Sequence, residues 1–302
     1  MTKQNQNPDM KHLLALVFGA ICISFAPVFV KYLYLQEMSP VAIAFWRTFF
    51  GAVILFGWGW ITRRQMVLKW VVLKWAIVAG FLFYLDLYAW HHSIIYTGGG
   101  MATILGNTQV FATAILGFLL FKERLSLRFF IAAVTAIFGV ALLVGIGSDT
   151  AFTADYIKGV ILGLLTGLFY AHFIITLKHA GKKKECPGFV CLMGWASLST
   201  AFFFGITMFF FETVYFPIGF QAWLLAIGLG LTAQAIGWRA ISKALPNLPA
   251  SISGLILLLQ PVLATLWGYL LFNEYLVLLQ ILGAVITLSA IYVGTISKKK
   301  AA

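Results

Sequence analysis

Ten apolar runs, each long enough to cross a bilayer, set the first constraint on this chain. They cover roughly residues 12–35, 41–62, 70–94, 98–121, 126–147, 157–179, 188–211, 218–243, 249–272 and 276–297. A helix needs about 20 apolar residues to span the hydrocarbon core. Strands of a membrane barrel are about 10 residues long and alternate in polarity, and these runs do neither. Only helices satisfy so many backbone groups within lipid without closing a barrel. The breaks between runs carry turn residues or charge, as at Ser39-Pro40, Arg63-Arg64, Thr97-Gly98-Gly99-Gly100, Lys122-Glu123-Arg124 and Pro246-Asn247-Leu248-Pro249. The expected fold is an all-α membrane protein with ten transmembrane helices.

Composition agrees with that reading. Of 302 residues, 62% are hydrophobic and 10% charged. A soluble domain is about a quarter charged. So few charges could not cover a water-facing surface, which excludes a soluble enzyme, a disordered chain and a secreted disulfide scaffold. Three cysteines, Cys22, Cys186 and Cys191, are read as packing residues. The first run is read as a span rather than a cleaved signal.

The net charge of +12 lies in short clusters between the runs. It forms no basic face interleaved with aromatic residues, so no nucleic-acid partner is expected. With the N-terminus inside, the inner loops hold Arg63, Arg64, Lys69, Lys122, Arg124, Arg128, Lys178, Lys182, Lys183, Lys184 and Lys243. The tails add Lys3, Lys11 and Lys298 to Lys300, and the outer side holds only Lys31 and Lys158. Lys/Arg bias of this kind puts both termini in the cytoplasm. The expected location is a bacterial inner (plasma) membrane, with the basic collar against anionic lipid.

The chain repeats itself. Gln109, Gly117, Phe121, Glu123 and Leu125 match Gln260, Gly268, Phe272, Glu274 and Leu276, all at a spacing of 151 residues. A looser match sets Ser24 to Lys31 against Ala171 to Lys178. The unit holds five spans, and an odd number inverts the second copy. Residues 1–150 and 151–302 are therefore read as two inverted five-helix repeats. Inverted repeats with a site at the bilayer midplane are chiefly a transporter device.

The Ser39-Pro40…Phe45-Trp46-Arg47 segment, and the Gly-Tyr-Leu-Leu-Phe-Asn-Glu stretch at 268–274 after Gln260-Pro261, resemble the EamA-type permeases of the drug/metabolite transporter superfamily. The resemblance covers essentially the whole chain. It implies a basket of ten helices around a central cavity, with spans 5 and 10 peripheral. It also implies carriage of small organic metabolites, with amino-acid export as the leading activity and drugs or nucleobases behind it. The first half has Gln109-Val110 where the second has Gln260-Pro261, so span 4 has no matching proline on which to bend.

Polar side chains inside the spans are the candidates for chemistry, because lipid makes each of them costly. Amides at Asn107, Gln109, Gln234 and Gln260 are candidates for binding a polar solute, and the repeat sets Gln109 and Gln260 facing across the axis. Tyr84, Tyr88 and His91 share a face of span 3, with Asp86 and Trp90 on the neighbouring stripe. Tyr170 and His172 on span 6, and Trp238 one turn after Gln234, complete the candidate substrate site. Asp86, the acid placed well inside a span, is the candidate for proton coupling. Arg47 is read as a structural tie. His91-His92 makes a poor chelate, since neighbours on a helix point about 100° apart. No metal or cofactor is expected, and no nucleophile–base pair supports an enzyme. A membrane scaffold or enzyme is the remaining alternative.

Overall fold

The computed structural model describes residues 10–123, 125–144, 153–211, 216–272 and 278–295. Lys3, Arg124, Glu274, Leu276 and the Lys298-Lys299-Lys300 tail, which entered the charge and repeat readings, lie outside them. Thirteen α-helices occur among the described residues, with no strand. Seven helical stretches are long and apolar enough to cross a membrane. Three shorter apolar ones, Leu105–Phe121, Leu127–Leu142 and Leu278–Gly294, complete ten.

The first span is broken into α1 (Met10–Ser24) and α2 (Ala26–Tyr34). Pro27 has no N–H for the preceding turn, so the helix parts at Phe25. The break is filled from the second half: Trp267 stacks on Phe25 at 4.3 Å, and its indole N–H donates to Ser24 Oγ at 2.8 Å. The second span is α3 (Pro40–Ile61), begun by a Ser39 cap that accepts from the Ala42 N–H, with Pro40 in the first turn.

No change of backbone class marks the Gly98-Gly99-Gly100 break. Helical backbone runs from Trp70 to Asn107 as α4. A Cβ placed on Gly163 would nevertheless meet Ser93 Oγ at 2.9 Å and Leu105 Cβ at 2.7 Å. Twelve residues of straight helix would hold those two about 18 Å apart. The chain therefore doubles back between them, in the stretch that holds the three glycines, whose backbone freedom eases a tight reversal. Both arms close on α7 (Ala154–Gly181), whose Gly159, Gly163 and Gly167 receive them. Small residues let helices approach in this way.

After α5 (Gln109–Phe121) and α6 (Leu127–Val144) come α7 and α8 (Phe189–Phe211). The eighth span comprises α9 (Gly219–Leu229), a π-helical segment at Gly230–Gly237 and α10 (Trp238–Ala244). The ninth is broken into α11 (Ala250–Leu257) and α12 (Leu259–Phe272), and α13 (Leu278–Thr295) is the tenth.

Repeat mates behave alike. The two arms of α4 wrap α7, and α10 to α12 wrap α1. The mates α3 and α8 pack together, as do α6 and α13, where Thr287 lies against Gly139. Spans 4 and 9 both break near their matched glutamines, at Thr108 and Leu258. Span 4 achieves this without proline. The Thr108 hydroxyl and N–H both turn back to the Leu105 carbonyl and interrupt the regular ladder. Large apolar side chains face outward along the bundle, Trp60 and Phe211 at 82% and 81% exposure. That is a stable arrangement only where the surroundings are hydrocarbon.

Candidate functional site

A polar cluster lies where α3, α4, α7 and the π-helical segment meet. Arg47, two turns into α3, is only 8% exposed, and its guanidinium carbon stands 5.6 Å from the centre of the Phe83 ring. Asp86 on α4 is 6% exposed and within electrostatic reach of Arg47. The two do not touch: among the described residues the ion pairs are Lys158–Asp155 and Lys178–Glu123. His91, also on α4, and Tyr170 on α7 are within the same electrostatic reach of Arg47.

An aromatic wall closes one side. Phe83 stacks on Phe173 at 4.5 Å, and Trp238 meets Phe173, Phe83 and Tyr170 edge-on at 4.7, 5.4 and 5.8 Å. The Tyr170 hydroxyl accepts from Gln260 Nε2 at 3.3 Å. Gln234 sits in the π-helical segment, wholly buried against Gly51, one turn past Arg47. A π turn re-aims the side chains around it and is frequent at functional sites.

Four buried atoms here have no hydrogen-bond partner: Arg47 Nε, His91 Nδ1, Gln234 Oε1 and Trp238 Nε1. Leaving one such group unpaired costs about 1–3 kcal/mol. Native interiors avoid this. Four of them, beside an unpaired opposite-charge couple, leave hydrogen-bonding capacity that the protein's own groups do not fill.

The structure sorts the sequence candidates. It brings His91, Tyr170, Trp238, Gln260 and Asp86 together around Arg47, with Gln234 at the margin. Gln109 is 1% exposed, donates to the Gly254 carbonyl at 2.9 Å and accepts from Thr113, so it ties α5 to α11. Tyr84 turns to α8 and bonds Thr207 at 2.8 Å, and Tyr88 follows it to lie against His92. His172 turns away from the cluster and holds the Leu168 carbonyl of its own helix. Trp90 is half-buried beside His91 and near Gly106, and Asn107 is half-buried at the end of α4. The aromatic partners Phe83 and Phe173 escaped the sequence reading, since nothing marks two phenylalanines among 28. Arg47 carried a signal as a charge inside an apolar run, and its unpartnered nitrogen argues against a tie.

A second polar site closes the basic end. Glu123 accepts from Lys178 Nζ at 2.8 Å and from the Ala250 N–H at 2.7 Å. Its other oxygen accepts from the Ser251 N–H and hydroxyl, both at 3.3 Å. Lys178 also donates to the Leu248 carbonyl and lies 4.8 Å over Phe121. The carboxylate thus caps the N-terminus of α11, where the helix dipole favours negative charge. At the other end Lys31 lies 4.1 Å over Phe272, the repeat mate of Phe121.

Comparison with known proteins decides the family. The sequence model of the EamA-like transporter family matches residues 10–145 and again 157–296. The chain belongs to the EamA-like transporter family. An "uncharacterized transporter" of Archaeoglobus fulgidus is 26% identical over 175 residues, which are 58% of this chain. The chain spans 59% of that relative's length. A crystal structure superposes with a TM-score of 0.81 over 94% of this chain and 96% of the other, at 15% identity, and supports the fold alone. EamA membership agrees with the ten apolar helices in two repeats and with a multi-pass membrane protein.

Proposed function

We propose that this EamA-family protein is a secondary carrier, an exporter or facilitator, of small organic metabolites, with apolar and aromatic amino acids as the leading substrates. The observation that carries this reading is the chamber of unpartnered polar atoms around Arg47 and Asp86. A zwitterion offers a carboxylate to the guanidinium and an ammonium to the carboxylate, so one guest satisfies both buried charges. Its side chain then lies on Phe83, Phe173 and Trp238. A single arginine is too little positive charge for a phosphorylated sugar.

Alternating access follows from the repeats. Residues 1–150 and 151–302 rock about the chamber, closed at the basic end by Glu123 and Lys178 and at the other by the Lys31–Phe272 pair. Asp86 binds either a proton or the substrate ammonium, and that competition couples export to proton entry. The basic end faces the cytoplasm, with both termini, in a bacterial inner membrane.

The test is a thermal-shift series on the purified chain. An amino acid with an aromatic side chain should raise Tm, whereas the matching amine without a carboxylate and the matching acid without an ammonium should not. Arg47→Gln should remove the shift. Equal shifts from all three compounds would contradict the zwitterion reading.

A further inference from the structure

Two cavities open at the basic end, away from the chamber, and they share Arg64. The smaller, about 270 Å³, is lined by Arg64, Gly188, Phe189, Val190, Arg239 and Lys243. The larger, about 650 Å³, is lined by Phe56, Trp60, Ile61, Arg63, Arg64 and Met66. Their chemistries differ. Three cations from two segments, Arg64 after α3 and Arg239 and Lys243 on α10, meet in the first, with no carboxylate in its wall. None of the three is in an ion pair among the described residues. The first turn of α8, a helix of 23 residues, adds N–H groups that have no partner within the helix. The second cavity sets an aromatic and apolar wall of Phe56, Trp60, Ile61 and Met66 beside Arg63 and Arg64. Its Trp60 and Ile61 are 82% and 77% exposed on the lipid-facing surface.

Depth gives the pair its meaning. Exposed indoles gather at the hydrocarbon–water boundary. Trp58, Trp60 and Trp70 are all exposed at this end, and Arg239 lies 4.9 Å over the Trp58 ring. The cationic pocket is therefore at headgroup level and the apolar one beside it at the start of the acyl region. We propose that this cleft binds an anionic phospholipid, with the headgroup phosphate among Arg64, Arg239 and Lys243 and an acyl chain along Trp60 and Ile61. Arg64 belongs to the first repeat and the other two cations to the second, so the bound lipid bridges the halves at the mouth closed by Glu123 and Lys178.

The whole chain, purified in uncharged detergent, is titrated with phosphatidylglycerol, phosphatidylcholine or inorganic phosphate while Tm is followed. Ligand that binds only the folded protein raises Tm saturably. Phosphatidylglycerol should do so, and the other two should not. The variant Arg64→Gln/Lys243→Gln removes two exposed cations and should move the midpoint at least about tenfold to higher lipid, given roughly 1 kcal/mol per cation at a membrane surface. The control Lys69→Gln/Lys184→Gln removes the same charge outside the cleft and should leave the midpoint in place. Equal displacement in both variants would reduce the effect to diffuse attraction. Equal stabilisation by phosphatidylcholine, or by phosphate alone, would overturn a phospholipid as the occupant.

Discussion

Arg47 and Asp86 are close enough to feel one another and too far apart to pair. A lone charge in a bundle interior is tolerated when it has a functional partner, and here that partner is the guest of the proposed chamber. Asp86→Asn keeps shape and hydrogen bonding and removes ionisation. In liposomes it should abolish solute movement driven by a pH gradient while equilibrium exchange survives. Equal wild-type flux with and without the gradient would contradict a proton role. The two repeat-matched glutamines should part company. Gln109→Leu breaks the bond to Gly254 and should lower stability by about 1 kcal/mol, with flux per folded molecule unchanged. Gln260→Leu should lower flux at unchanged stability, as measured by unfolding and transport on the same preparations. The spacing of 151 residues identified both positions but could not show which had a carbonyl within reach. Asp86, His91, Gln260 and Trp238 were legible because polar or indole groups stand out in an apolar run. Phe83 and Phe173 were not, because their role comes only from what packs across from them.

Among the elements, the helix breaks best show what sequence carries and what packing adds. Proline and a Ser39 cap mark the starts of α2 and α3 in the sequence itself. The triple glycine was legible as a break between spans, but not the closeness with which both arms pack on α7. The π-helical segment at Gln234 left no trace in composition, and only the packing shows that side chain seated against Gly51 of α3. The Lys178–Glu123 bridge was half-visible, as a repeat-matched acid without its partner. Lys178 is 3% exposed and Glu123 13%. Lys178→Met strands the carboxylate and should cost about 3–5 kcal/mol in unfolding experiments. Adding Glu123→Leu should recover part of that loss, less whatever capping of α11 contributes. A double variant less stable than Lys178→Met alone would show that the cap, not the ion pair, dominates.

For the whole molecule, the ten apolar runs and the 151-residue repeat make the ten-helix, two-repeat architecture legible in the sequence. The membrane orientation is tested with single cysteines at positions 64 and 37, in a background without Cys22, Cys186 and Cys191. An impermeant thiol reagent added to intact cells should label position 37 and spare position 64, and the reverse pattern would overturn the orientation. The most direct measurement is flux through the purified protein in liposomes, loaded with one zwitterionic aromatic amino acid and supplied with a radiolabelled one outside. The account predicts saturable counterflow for the wild type and a loss of at least about tenfold for Arg47→Gln, as expected when a charge-assisted contact worth about 1.5–3 kcal/mol is removed. Counterflow of equal rate in Arg47→Gln and wild type would contradict it.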